Sequence, residues 1–328
     1  MAIDANRLFS QIFPPAKDKV PEFSVVIPVF NRERLVARTL ESCLSQQGVD
    51  FEIIVVDDGS SDGSASIVES YSNAKLQLIR HQTNRGLGAA RNTGVGRARG
   101  EWVVLLDSDD ELMPGALARM SQIVRGAGKD VARLGFAYRR DDGGVSPFPP
   151  LRDELLDYEG ALRWIENRRL FDFLSCTRLR TFDHVRWREW RMAGEVLYRF
   201  DVAHRYPILF SSEALGLVHS DAENRLTAQL RKSRNGRQAG IDLGEEMDLI
   251  LQRHGAALRR FAPQTLRRFQ GVRASYYYMN GSLAAGIAQS VHCIRANPLS
   301  LDPWLLLLGG IAGPRVFAWM RSRRRSPA

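Results

Sequence analysis

Trp102-Val103-Val104-Leu105-Leu106-Asp107-Ser108-Asp109 is the stretch that decides the fold of this chain. Its first five residues form a short, continuous, β-prone apolar run, and a helical pattern follows from Pro114. Such a run predicts a buried strand of a parallel sheet. In open α/β sheets, ligands sit beyond the carboxyl ends of the strands. Asp107 and Asp109 are therefore expected one residue apart at a functional edge, facing water. Their chemistry suits a hard divalent cation, which prefers oxygen ligands and can bridge to a diphosphate. An isolated Asp-x-Asp is more often an acidic loop that caps the next helix. Here the flanking sequence decides against that reading.

The flanks repeat a strand-then-helix pattern. Phe23 to Phe30 reads as a first strand, and residues 33–46 follow with helical spacing of Leu35, Val36, Thr39, Leu40, Cys43 and Leu44. Phe51 to Asp57 is a second strand that runs into Asp58-Gly59-Ser60-Ser61-Asp62-Gly63, dense in turn and cap residues. Ile67, Val68 and Tyr71 mark a short helix, Leu76 to Ile79 a third strand, and Gly86 to Ala98 a loop then a helix. This alternation predicts an α/β fold, a mostly parallel central sheet with helices on both faces.

Four motifs lie in order along residues 23–125. They are Val26-Ile27-Pro28-Val29-Phe30-Asn31, Val55-Val56-Asp57-Asp58-Gly59-Ser60-Ser61-Asp62, Asn84-Arg85-Gly86-Leu87-Gly88-Ala89-Ala90-Arg91-Asn92 and Leu105-Leu106-Asp107-Ser108-Asp109-Asp110. Together they resemble the inverting family 2 glycosyltransferases with the GT-A fold. The likeness is close over the first third of the chain and loose to about Thr227.

The resemblance implies a nucleotide-sugar donor, uridine-linked, and a divalent cation, Mn2+ or Mg2+. Pro28 and Phe30 end the first strand, where a missing ladder donor leaves backbone groups free for a base edge with Asn31 beside them, although Phe30 could equally be a plain strand terminus; the resemblance gives Asp58 the hydrogen bond from a uracil ring nitrogen. Asp57 shares that role or orients the loop; from the residues alone, both acids could simply cap the next helix. Arg91 is implied at the diphosphate, where a guanidinium suits phosphate oxygens, while Arg85 could equally be solvated. Ribose contact falls mainly to Asp107 and metal contact to Asp109, with Asp107 as a second metal candidate. Asp110 is expected to cap the helix that begins near Pro114. His219, which ends Leu215-Gly216-Leu217-Val218, is a metal or diphosphate candidate or a structural histidine. The glycine segment is not a dinucleotide fingerprint: its third glycine is missing and it follows the third strand.

Inversion requires a carboxylate that deprotonates the acceptor hydroxyl on the face opposite the departing diphosphate. The family carries it in a Glu-Asp pair that opens a helix. The match here is Gly194-Glu195-Val196, so Glu195 fits the first acid and Val196 replaces the second. Glu195 is the candidate base, with Asp183 and Asp201 as fallbacks. The departure at Val196 keeps open a non-catalytic nucleotide-sugar-binding or scaffold protein of the same fold. A nucleotidyltransferase would place a Gly-rich, Lys-bearing loop after the first strand, and Val29-Phe30-Asn31-Arg32 is not one.

The 328 residues suit one catalytic domain plus an appended region. We divide them into an arm (1–22), a GT-A domain (23–228) with nucleotide (23–140) and acceptor (141–228) halves, and a basic loop plus helical C-terminal region (229–328). The arm lacks an apolar signal core. Three scattered cysteines argue for a reducing compartment and against a disulfide framework. Residues 229–240 read as a mobile basic loop, and 242–296 as helices.

The net charge of +9, from 46 basic and 37 acidic residues, could mean nucleic acid. No nucleic-acid-binding motif accompanies it. Leu151 to Arg191, rich in Arg and Trp, could instead face an anionic acceptor, a glycan or a lipid-linked chain. Residues 303–325 combine an apolar run with Arg315, Arg321, Arg323, Arg324 and Arg325. That predicts an interfacial helix on an anionic membrane surface, too short to span. The expected location is cytoplasmic, peripheral on the inner face of the membrane.

Overall fold

A computed structural model describes residues 20–166, 173–190, 194–219 and 236–312. Its centre is a ten-stranded sheet in the order β3-β2-β1-β4-β9-β6-β10-β5, with β7 on β6 and β8 on β10. The strands are β1 (Phe23–Val29), β2 (Phe51–Asp57), β3 (Leu76–Arg80), β4 (Trp102–Leu105), β5 (Glu111–Leu112), β6 (Arg133–Arg140), β7 (Val145–Ser146), β8 (Glu154–Leu156), β9 (Leu174–Arg178) and β10 (Ile208–Val218). From β3 to β4 all neighbours are parallel. Beyond β4 the sheet is mixed: β9 runs antiparallel to both β4 and β6, while β10 is parallel to β6. The expected parallel arrangement thus holds from β1 to β4, where every connection is a helical crossover. The start of the acceptor half, residues 141–150, contains β7, which folds back on β6 as a hairpin.

The helices are α1 (Val36–Leu44), α2 (Ser64–Ser70), α3 (Leu87–Val95), α4 (Ala116–Gly126), α5 (Tyr158–Glu166), α6 (Glu195–Arg205), α7 (Gly236–Phe261), α8 (Pro263–Met279), α9 (Leu283–Ala296) and α10 (Leu301–Ile311). β1 and β2 are apolar at almost every position because both faces are covered. Val25, Ile27, Ile53 and Val55 pack with Val36, Leu40 and Met120 on one side. Val26, Ile54, Val56 and Val103 pack with Ala90, Val95, Phe182, Trp187 and Tyr198 on the other. The alternation is the period of two that a strand imposes.

α7 to α10 form the expected helical region, and α7 begins at Gly236, inside the segment read as a loop. The rest of that segment, the arm up to residue 19 and the basic stretch from residue 313 lie outside the described residues. A third core joins this region to the sheet domain: Met247, Ile250, Leu258, Leu266 and Phe269 pack with Leu197 and Phe200 of α6. The helix that bears Glu195 is therefore clamped between the two regions.

Candidate active site

The site gathers where β1, β2 and β4 end. Pro28 lies buried inside β1, opposite Val56 and past the end of the β1–β4 ladder at Val26, so its missing N–H disturbs no pairing there. Phe30 and Asn31 reach the loop surface. Asn31 holds a positive φ of 52°. Its backbone N–H donates to Ser60 Oγ at 2.9 Å, and its side-chain oxygen accepts the Ser61 N–H at 2.9 Å. Asn31 thereby clasps the loop after β2 to the loop after β1.

That clasped loop carries two buried acids with different duties. Asp58 accepts the backbone N–H groups of Arg85 at 2.9 Å and Gly86 at 2.8 Å. His81 Nδ1 lies 2.6 Å from the same carboxylate. Asp58 thus holds the segment that opens α3. The Asp57 carboxylate accepts the Ser60 N–H at 3.2 Å. Neither acid is a plain helix cap.

α3 delivers Arg91 to the centre. Gly88 permits this approach: a Cβ there would collide with the backbone oxygen of Arg188. Asn92 fastens the same strap, its Nδ2 donating to the Trp187 carbonyl at 2.9 Å. The buried Arg91 guanidinium donates Nη2 to Asp107 Oδ1 at 3.0 Å and Nη1 to Glu195 Oε2. These two acids raise the Arg91 pKa further against the opposing effect of burial. Arg85 instead forms a surface pair with Glu189 at 2.8 Å, both half exposed.

Glu195 opens α6 after Gly194, whose φ is 106°. Its Oε1 accepts Arg199 Nε at 2.8 Å. Desolvation would raise the Glu195 carboxyl, but Arg91, Arg199 and Arg133 together outweigh it and hold the group at about 2. Asp201 faces the other way, toward α7, with Arg253 at 2.6 Å and His254 at 3.1 Å. Asp183 is exposed at the end of a 3-10 turn (Leu179–Asp183). Of the three candidate bases, Glu195 is the one in contact with Arg91 and hence with the strand-end acids.

Two contributors escaped the sequence. Glu246 of α7 is 2% exposed, and its Oε1 accepts the backbone N–H groups of Gly194, Val196 and Leu197, each at 3.0 Å. It caps α6 from another region of the chain, which no local pattern announces. Arg133 is 1% exposed, lies 5.3 Å from the Phe173 and Tyr198 rings, and its Nε and Nη1 make no hydrogen bond among the described residues. It places a positive charge behind Glu195.

The other acidic expectations separate. Asp110 does not cap a helix: α4 starts at Ala116 behind Gly115, with no side-chain cap. Asp109 follows Asp107 on the loop, its carbonyl accepting Arg38 Nη2 at 2.9 Å. His219 lies 2.5 Å from Glu111 Oε1. Among the described residues, no three His, Cys, Asp or Glu side chains converge on a preformed metal cage. One or two loop carboxylates still fit a cation of the Mg2+ or Mn2+ kind whose remaining positions are filled by water and substrate phosphate.

Comparison with known proteins bears on this geometry. The model of glycosyl transferase family 2 matches residues 24–185. The chain is 43% identical over 119 residues to the succinoglycan biosynthesis protein ExoO of Rhizobium meliloti (strain 1021), which covers 36% of this chain and 34% of that protein. Its alignments span between 34% and 52% of the length of the first curated relatives it matches. Among solved structures, S. aureus TarS 1-349 in complex with UDP-GlcNAc superposes with a TM-score of 0.62 at 18% identity, covering 94% of this chain and 93% of that one. The Pyrobaculum calidifontis mannosyltransferase in complex with GDP-Man and Mn2+ gives 0.55 at 17% identity, covering 93% and 84%. At such identities the structural likeness establishes the fold alone.

Proposed function

This chain belongs to glycosyl transferase family 2 through residues 24–185, and from that premise we propose a metal-dependent inverting transfer of a sugar from a uridine-linked nucleotide sugar to a hydroxyl of a glycan or lipid-linked acceptor. The observation that carries the proposal is the convergence of Arg91, Asp107 and Glu195 at the carboxyl edge of the parallel strands. A cation-binding acid, a phosphate-binding arginine and a proton-accepting carboxylate are the groups this reaction needs.

In this reading Phe30, Asn31 and Asp57 receive the base, and Asp58 acts one step back by holding the α3 loop. Asp107 meets the ribose and Arg91 the diphosphate. Asp109, with Asp107, would hold the cation, which neutralises charge on the leaving diphosphate. His219, already beside Glu111, is the remaining candidate near the phosphates. Glu195 takes the acceptor hydroxyl proton; the oxygen attacks the anomeric carbon, and the bond to the diphosphate oxygen breaks on the opposite face.

The test is a panel of nucleotide sugars with Mn2+ or Mg2+, read as hydrolysis and thermal shift, together with calorimetry of uridine diphosphate. Asp109→Ala should remove the metal-dependent part of that affinity. Asp57→Asn should weaken uridine binding while leaving Tm near the wild type. Equal affinity of the wild type with and without chelator would sink the metal role.

No described helix is long and apolar enough to cross a membrane. α10 nonetheless exposes Leu301 (74%), Trp304 (43%), Leu308 (61%) and Ile311 (58%) along one face. Arginines 315, 321 and 323–325 follow in the sequence. We assign this face to an anionic membrane surface on the cytoplasmic side, where each basic residue contributes about 1 kcal/mol. Leu301→Glu with Leu308→Glu, both exposed, should fold normally and lose most co-sedimentation with anionic vesicles. Unchanged sedimentation would refute the assignment.

A further inference from the structure

A cavity of ≈ 660 Å³ lies across the strap of residues 184–188 from Arg91. It forms where that strap, α6 and α7 meet, and it is lined by Arg186, Arg188, Arg205 and Arg253. Among the described residues Asp201 is the one acid on its wall, and it already holds Arg253 at 2.6 Å and His254 at 3.1 Å. Arg186 donates its Nε to the Phe182 carbonyl at 2.9 Å. Arg186, Arg188 and Arg205 have no carboxylate partner among the described residues. Solvated helix faces scatter their charges; here three elements aim them at one concavity. Like charges crowded in a cleft repel one another and focus the field on whatever anion enters.

The position is as informative as the charge. Gly194 lines the cavity, and the next residue is Glu195. Trp187 also lines it, and its ring lies 5.7 Å from the Arg91 guanidinium. The cavity therefore shares a wall with the donor site and touches the start of the helix that bears the candidate base. Its volume is in the range of small-molecule sites. Guanidinium groups bind phosphate oxygens through paired, charge-assisted hydrogen bonds.

We propose that this cavity is an acceptor subsite for a phosphate or diphosphate ester, in which Arg186, Arg188 and Arg205 hold the anionic group of the acceptor beside the Gly194 start of α6. The proposal rests on the glycosyl-transfer reading for the word acceptor, but the anion site stands or falls separately. Two sources share the chemistry: a lipid-linked diphosphate and a soluble phosphorylated glycan.

The experiment is calorimetry of inorganic pyrophosphate on the full chain, with the donor site saturated by uridine diphosphate and metal. Wild type should bind pyrophosphate in a second event that weakens as salt rises. Arg188→Gln and Arg205→Gln should each weaken it at least tenfold and together abolish it, with uridine diphosphate affinity unchanged. Both side chains are exposed, so the variants keep the fold, and a thermal melt verifies this. Geranyl diphosphate in the same titration separates the sources: tighter binding than pyrophosphate supports the lipid-linked one, equal binding the soluble one. No second event, or equal pyrophosphate binding by wild type and the double variant, would overturn the subsite. Absence of uridine diphosphate binding by the wild type would instead count against the transfer reading; pyrophosphate titrated alone into the wild type and into the double variant then still decides the cavity.

Discussion

Glu195→Gln should lower glycosyl transfer by about 10²–10⁴-fold, the usual worth of a positioned general base, while uridine diphosphate affinity holds or rises. The variant keeps size and polarity but removes the proton-accepting charge. In the proposed reading affinity does not fall, because Glu195 holds the Arg91 guanidinium that the diphosphate would engage. The same competition resolves an apparent conflict. A carboxyl held at about 2 is a weak proton acceptor. When phosphate oxygens draw Arg91 away, Glu195 loses an opposing charge, and its proton affinity rises. Donor binding would thus arm the base. Asp183→Asn and Asp201→Asn, made in parallel, should keep most activity, since Asp201 is engaged with Arg253 and His254 on α7. Normal transfer by Glu195→Gln, with one of the others inactive, would move the base there. A wild type that binds donor yet transfers to no panel acceptor would favour the non-catalytic reading raised by Val196.

Much of this arrangement was legible in local sequence. β1, β2 and β4 are short apolar runs, buried on both faces, and their periodicity needs no tertiary information. The acids that follow β2 and β4 stand at the strand ends because turn residues stop those runs there. What was not legible depends on partners far along the chain. Asp58 reads in sequence as a base contact; only the folded chain reveals that it also holds Arg85, Gly86 and His81. The mixed order beyond β4 depends on such partners: β9 inserts antiparallel between β4 and β6, and β5, β7 and β8, two or three residues long, are strands through pairing across the sheet rather than propensity. Arg133, which no motif singles out, is buried against Phe173 and Tyr198. Glu246 belongs to an amphipathic helix whose contact with α6 no spacing encodes.

Glu246→Ala tests that contact and should be the most damaging change outside the strand-end loops. It leaves the N–H groups of Gly194, Val196 and Leu197 without their acceptor at a mostly buried helix start. Orphaned buried donors cost about 1–3 kcal/mol, read as a Tm lowered by several degrees. Transfer should fall further than stability explains, by about 10²-fold, because a small displacement of α6 misplaces Glu195. Glu246→Gln retains an acceptor oxygen and should recover most of both. The two neighbouring glutamates also carry opposite pH signatures. Burial, aided by the charge on Glu195, lifts the Glu246 carboxyl above the ordinary 4.5, so its contribution to stability is full below that value and declines as pH rises. Glu195, held at about 2, contributes above 4.5 and loses that contribution as pH falls toward 2. Glu246→Gln should therefore flatten the alkaline side of the stability profile near that window, and Glu195→Gln the acid side. If Glu246→Ala melts and transfers like the wild type, the C-terminal helices do not position the site. If Glu246→Gln is as impaired as Glu246→Ala, the negative charge of Glu246, rather than its hydrogen bonds, holds α6 in place.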